Sequence, residues 1–280
     1  MDFLYDGMVD FLVSVYRGFF TGVNDLYNLA LTTPQEWMDG TIWNAVVKFN
    51  DVAVMPIAWI LLSMFMMFDM VRVIERSQAK GYDQMMLICQ VLLKILIAKA
   101  ILENGTVIIA AIFEISSQII KNGKSLLPVG NVEIAPDTSA FADAFDDSSI
   151  LSLLWYSIEA GLLSIAQKIT TLIAKVIIQL RFVEIYAFTA VSSLAFSTFP
   201  SEEYSQIGKN YIKRLSATAL HVVFICAVLY CYVTILTKIS FVGIAEDPTG
   251  SLFSAFGYSI LMVIALFQTG GWSKSLTQSN

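Results

Sequence analysis

The sequence is expected to form an all-α, polytopic membrane protein, with about six or seven membrane-spanning helices after an amphipathic N-terminal helix. Three observations lead there. Hydrophobic residues make up 56% of the chain and charged residues only 14%, against about 25% charged in soluble domains. Mean hydropathy is +0.68. The apolar residues fall in runs near the roughly 20 residues a spanning helix needs, without the alternating segments of about 10 residues that build a transmembrane barrel. A net charge of −6 argues against a basic nucleic-acid-binding surface. Cys89, Cys226 and Cys231 stand in apolar sequence without CxxC spacing, which suits small core residues better than a metal or disulfide framework. Asp2, Asp6 and Asp10 fall where a secretory signal carries positive charge, so the spans themselves are expected to direct insertion.

Residues 1–31 set Leu4, Met8, Phe11, Leu12, Val15 and Phe19 at steps of three and four, with Asp6, Asp10 and Arg17 on other faces. This predicts an amphipathic helix too polar to span, suited to a membrane interface or to the side of a bundle. Thr33-Pro34-Gln35-Glu36 supplies an N-cap, a proline at the first helical position and a capping-box glutamate. A short helix should begin there, with Trp37 and Trp43 as candidate interfacial anchors. Val52–Val71 is the first span, free of charge from Val52 to Phe68, with Pro56 in its first turns where a missing donor is tolerated. Arg72, Arg76 and Lys80 outnumber Glu75 and Asp83 in the following connector, which makes it cytoplasmic by the positive-inside rule.

Gln84–Ile120 would be roughly 55 Å long as one helix, against a hydrocarbon layer of about 30 Å. Asn104-Gly105 is a natural break, so the segment is either a tight hairpin or one long projecting helix. Residues 127–149, with Pro128, Gly130, Pro136 and five acids, read as an acidic surface loop. Ile150–Leu180 is the next long helix, and Arg181–Phe199 a separate one rich in Ala, Ser and Thr and stopped by Pro200. Leu215–Lys238 and Ser251–Thr269 are the last spans. Four regions result: interfacial helices over 1–50, first membrane helices over 51–126, the acidic loop over 127–149 and a second bundle over 150–280. Placing Ser201–Arg214 in the cytoplasm requires two crossings within Gln84–Ile120 and about seven in all; a single crossing there gives about six.

The candidate functional residues lie on Ile150–Leu180, where Ser164, Lys168, Thr171, Lys175 and Gln179 recur at helical spacing. A lysine at bilayer depth costs about 2.5–3.5 kcal/mol, so two on one face point to a wet interior lining of a channel or assembly axis. The competing reading is that they snorkel or pair with carboxylates such as Glu159 or Glu114. Lys99 and Glu103 are spaced to pair along a helix. The small residues from Ala187 to Thr198 suit close helix packing. His221, the only histidine, reads as a satisfied polar residue. No HExxH, GxSxG or phosphate loop occurs, so neither catalytic residue, metal nor cofactor is expected.

Within Arg181–His221, the runs RFVEIY, SSLAFSTF, EEYSQIGKNYIKRL and SATALH resemble the TrbL-like family of conjugal-transfer membrane proteins of Gram-positive bacteria, counterparts of the polytopic inner-membrane subunit of type IV secretion systems. The resemblance implies a scaffold and translocation-channel subunit, homo-oligomeric and multi-pass in the bacterial cell membrane. Its implied partners are the lipid bilayer, the other secretion subunits including the ATPases and the coupling protein, and transiently the translocating DNA–protein substrate. On this reading Glu184, Gly208, Lys209, Lys213 and Arg214 are assembly contacts, and Lys168 and Lys175 face the interior. The alternatives are a stand-alone small-solute or ion transporter or channel, and a passive membrane anchor for a partner complex; paired half-helix breaks or an inverted repeat, the usual marks of a transporter site, are not seen.

Overall fold

A computed structural model describes residues 2–80, 84–126, 150–243 and 248–278; the expected acidic loop lies outside them. The described residues are almost entirely helical, with no strand among them. The order is α1 (Asp2–Leu31), a tight turn at Trp37–Gly40, α2 (Thr41–Phe49), a π segment (Asn50–Val54), α3 (Met55–Lys80), α4 (Gln84–Glu103), α5 (Gly105–Leu126), α6 (Ile150–Ala190), α7 (Ser192–Ser197), α8 (Ser205–Gly243) and α9 (Pro248–Thr277).

Among the described residues, four stretches are long and apolar enough to cross a membrane: Trp37–Glu75, Leu151–Ala190, Ser205–Ile235 and Phe253–Thr277. A fifth arises if α4 and α5 form one broken span, since Cys89–Glu103 and Gly105–Asn122 meet at a 64° bend. The candidate spans among the described residues are thus fewer than the six or seven expected, for two reasons. The break does fall at Asn104-Gly105, but a 64° bend is neither a hairpin nor a straight helix. And Arg181–Phe199 is not a separate helix. α6 runs uninterrupted for 41 residues, because Arg181 lies between good helix formers with no glycine or proline to end the run. Charge alone does not stop a helix.

The true interruption is at Val191, where backbone bonds shorten to the i→i+3 kind from Val191 N to Phe188 O and from Leu194 N to Val191 O. The polar groups at this break are satisfied from far away in sequence. The buried Asn50 side chain takes the Ser193 N–H at 3.3 Å and the Ser192 hydroxyl at 3.4 Å on Oδ1, and donates through Nδ2 to Ser193 Oγ at 2.8 Å. Asn50 itself opens the π segment, a local overwide turn of the kind often found where a helix carries a special side chain.

By compactness the described chain forms two units. The first comprises Met1–Thr32, Gln118–Leu180 and His221–Trp272. It buries Leu12, Val23 and Leu26 of α1, Leu153 and Ile178 of α6, Leu229 of α8 and Leu266 of α9. The second comprises Thr33–Ser117, Arg181–Leu220 and Ser273–Asn280. Its core joins Leu62, Leu102, Ile109, Ile185, Phe196 and Leu215, and the six-residue α7 packs on α3, α4 and the π segment. Trp37 and Trp43 belong to this second unit. Trp37 stacks on Phe182 with ring centroids 4.8 Å apart, Trp43 packs against Tyr186, and the Tyr186 hydroxyl donates to Pro34 O at 2.8 Å. These contacts fix the turn before α2, where Met38, Asp39 and Gly40 all take left-handed φ of 51°, 56° and 69°. Glu36 Oε2 accepts from Thr33 N at 3.4 Å, but the helix expected to begin there does not: the chain turns, and α2 starts only at Thr41.

Candidate functional site

In the first unit the polar face of α6 meets α1. A Cβ added at Gly22 would stand 3.3 Å from Thr171 Oγ1, and one at Gly161 would stand 3.9 Å from Phe11 Cζ. The low-numbered ends therefore lie together and the helices run parallel. Gly22 is where the two helices come close; a Cβ at Gly18 would meet nothing within 4 Å. Beside this contact lies a cleft of about 390 Å³. Its polar lining is Ser14, Thr21 and Asp25 from α1 and Ser164, Gln167, Lys168 and Thr171 from α6.

Of the five residues of the lysine stripe, Ser164, Lys168 and Thr171 thus share one cleft. Lys175 is exposed and Gln179 half-buried, and neither lines it. Among the described residues no ion pair holds either lysine. One flank of α6 beside the stripe carries Leu162, Ile165, Ile169 and Leu172, each more than half exposed, an apolar surface suited to lipid. Asp25 and Gln167 escaped the periodicity argument. Gln167 sits between stripe positions, and Asp25 belongs to another helix; Gly22 was the one available signal for that helix. Tyr27, on the same helix as Asp25, is buried, which raises the pKa of its hydroxyl above the usual value, with the Cys226 thiol adding to the rise. It therefore stays a neutral phenol.

Elsewhere in this unit the His221 Nε2 and Thr269 Oγ1 are 2.8 Å apart, and the buried Tyr232 hydroxyl meets Ser259 Oγ. The histidine is accordingly a satisfied polar side chain. Among the described residues no group of three or more His, Cys, Asp or Glu is placed to hold a metal ion.

The second unit holds the other candidates. Glu184 is half-buried, and Lys209, Lys213 and Arg214 are exposed on the first turns of α8. Gly208 is buried: a Cβ there would stand 2.9 Å from the Phe199 ring and 3.1 Å from Ala195 O, so its lack of a side chain serves close packing. The acids of the connector are engaged. Glu203 pairs with Arg72, Glu202 pairs with Lys94 at 3.2 Å, and the Glu202 N–H approaches the buried Asp69 carboxylate at 3.3 Å. Lys99 pairs with Glu103 at 3.7 Å.

Membrane-length helices with a polar face and a charged connector define a polytopic helical membrane protein. A model of the family described as TrbL/VirB6 plasmid conjugal transfer like protein matches residues 21–193, more than half of the chain. The chain belongs to that family, and is thereby a membrane component of conjugal transfer machinery. Nothing among the curated proteins or the solved structures matches it. The matched range takes in the lysine-bearing part of α6 and the Asn50–Ser193 joint, and of the Arg181–His221 stretch it includes only residues 181–193.

Proposed function

We propose that this protein is a scaffold and translocation-channel subunit of a conjugative type IV secretion system in the bacterial cell membrane. It assembles with copies of itself and works with separate ATPases and a coupling protein to pass a DNA–protein substrate. The observation that supports this reading is the family match over residues 21–193, joined to at least four helices of spanning length. Lys168 and Lys175 are exposed on the single chain, and the cost of setting cations against lipid, about 2.5–3.5 kcal/mol each, favours a shared interior over the bilayer. The exposed Lys209, Lys213 and Arg214 and the half-buried Glu184 serve as assembly contacts, whereas Gly208, buried against Phe199, serves packing within the chain instead. The role proposed is structural, and the chemical work of transfer falls to the partner ATPases.

An in-frame deletion on the mobile element, with complementation from a second site, tests this. Transfer should fall to background while host growth stays normal, and the intact gene should restore it. Undiminished transfer without the gene would overturn the proposal.

A further inference from the structure

α1 packs lengthwise along α6. Phe11 meets Gly161 at one end of the contact and Gly22 meets Thr171 at the other, about 16 Å further along the shared axis. Leu12, Val15, Val23, Leu26 and Ala30 form the buried face of α1, which runs for about 27 Å. A helix lying flat in the membrane interface would cross an upright one and touch it over about one helix diameter, 10–12 Å. α1 therefore follows the direction of α6.

The part of α6 beside α1 belongs in lipid. From Leu154 to Leu180, apolar residues that are at least half exposed recur every three or four positions, among them Ile158, Ile165 and Leu172. The strip is about 39 Å long, enough to cross a hydrocarbon layer of about 30 Å, and too extensive an apolar surface to leave in water. It lies about a third of a turn around α6 from Ser164 and Thr171, which face α1. The exposed residues of α1 are of the opposite kind. Asp10, Arg17, Thr21 and Asn28 fall on one flank at steps of seven, four and seven, and all four are exposed. Among the described side chains of α1, Phe11 is the only large apolar one that is exposed. A helix at bilayer depth with such a surface cannot turn it to acyl chains, because charged side chains there are costly and face a bundle interior or a water-filled space.

We propose that α1 crosses the membrane alongside α6, and that its flank of Asp10, Arg17, Thr21 and Asn28 lines a water-bearing interior shared between copies of this chain. The composition that makes α1 too polar for a lipid-facing span suits an inner wall, with the bundle on one side and water on the other. This inference rests on the shared interior proposed above for Lys168 and Lys175 and gives its wall a second helix. In the parallel register Lys168 is level with Gly18, so both helices present polar side chains at the same depth.

Single cysteines in a background lacking Cys89, Cys226 and Cys231, treated in native membranes with a membrane-impermeant maleimide, test the proposal. Asp6→Cys and Glu36→Cys bracket α1. Each should label from one side of the membrane only, and the two from opposite sides. Labelling of both from the same side would return α1 to the interface and overturn the proposal. Arg17→Cys and Asn28→Cys should react at least about tenfold faster than Ile165→Cys and Ile169→Cys on the lipid side of α6, since the thiolate is the reacting form and apolar surroundings raise a thiol pKa. Equally slow reaction at all four positions would remove the wet flank and the proposal with it. All six replaced side chains are exposed, so the variants should fold and elute on gel filtration as the parent does. Neither readout uses transfer, so its failure leaves the secretion reading untouched, whereas undiminished transfer after deletion would sink that reading whatever the labelling shows.

Discussion

Replacing Asn50 by alanine should destabilise the second unit by about 2 kcal/mol, a value that follows from what the side chain does there. Asn50 is 2% exposed, and its partners Ser192 and Ser193 are 0% and 1% exposed. Alanine removes three hydrogen bonds at 2.8, 3.3 and 3.4 Å. The two serine hydroxyls can turn to carbonyls of their own helix, as Ser197 already does to Leu194 O. The Ser193 N–H has no such freedom, because the helix is interrupted at Val191. One buried, unsatisfied donor costs about 1–3 kcal/mol, whereas an ordinary interhelical hydrogen bond in a membrane protein averages about 0.6 kcal/mol. The orphaned amide therefore dominates. Asn50→Asp should be no better than alanine, since it keeps the acceptors but buries a charge.

Unfolding of the purified protein by titration with a denaturing detergent, followed by loss of helicity and of tryptophan fluorescence, measures the change. A double-mutant cycle with Ser193→Ala isolates the Nδ2–Oγ bond, because that variant leaves the backbone N–H in place. The coupling should be about 0.5–1 kcal/mol. A loss below about 0.5 kcal/mol for Asn50→Ala, the range of neutral surface changes, would refute the claim that Asn50 holds the α6–α7 break.

The other consequences follow from single contacts. Gly105→Ala would place a Cβ 2.7 Å from a ring carbon of the fully buried Phe196; it should cost about 1–3 kcal/mol, and Phe196→Leu should restore much of the loss, with failure of that rescue counting against the packing account. Glu203→Gln breaks a pair with Arg72 whose side chains are 38% and 51% exposed, so stability measured by the same titration should not change detectably; a clear loss would refute the solvent-screened reading of the pair. Cysteines at positions 168 and 175, in a background lacking Cys89, Cys226 and Cys231, should react with a water-soluble thiol reagent faster than a cysteine at 172; equal rates would reject a wet lysine face.

The features readable from the sequence are those whose cause lies nearby in the chain. Helical class follows from apolar runs and periodicity, and α1 ends at Leu31, where the amphipathic pattern stops. The break at Asn104-Gly105 follows from the glycine, but its 64° bend does not, because the bend is set where Gly105 abuts Phe196. The α6 stripe is readable as spacing, while the cleft beside it needs α1, whose contribution of Gly18, Gly22 and Asp25 has no local mark of destination. Arg181 misleads for the opposite reason. A charged residue between apolar runs looks like the end of a span, yet it is 3% exposed in the middle of a continuous helix. The interruption ten residues later draws its hydrogen bonds from Asn50, 142 residues from Ser192. Serines 192 and 193 would be tolerated within a helix; at the break it is the distant amide that satisfies the Ser193 N–H. The same division should govern mutation. Changes at Gly105 or Asn50 act through partners more than 90 residues away and should unsettle packing across the second unit, whereas changes at the exposed Lys168 or Asp25 should leave the fold intact.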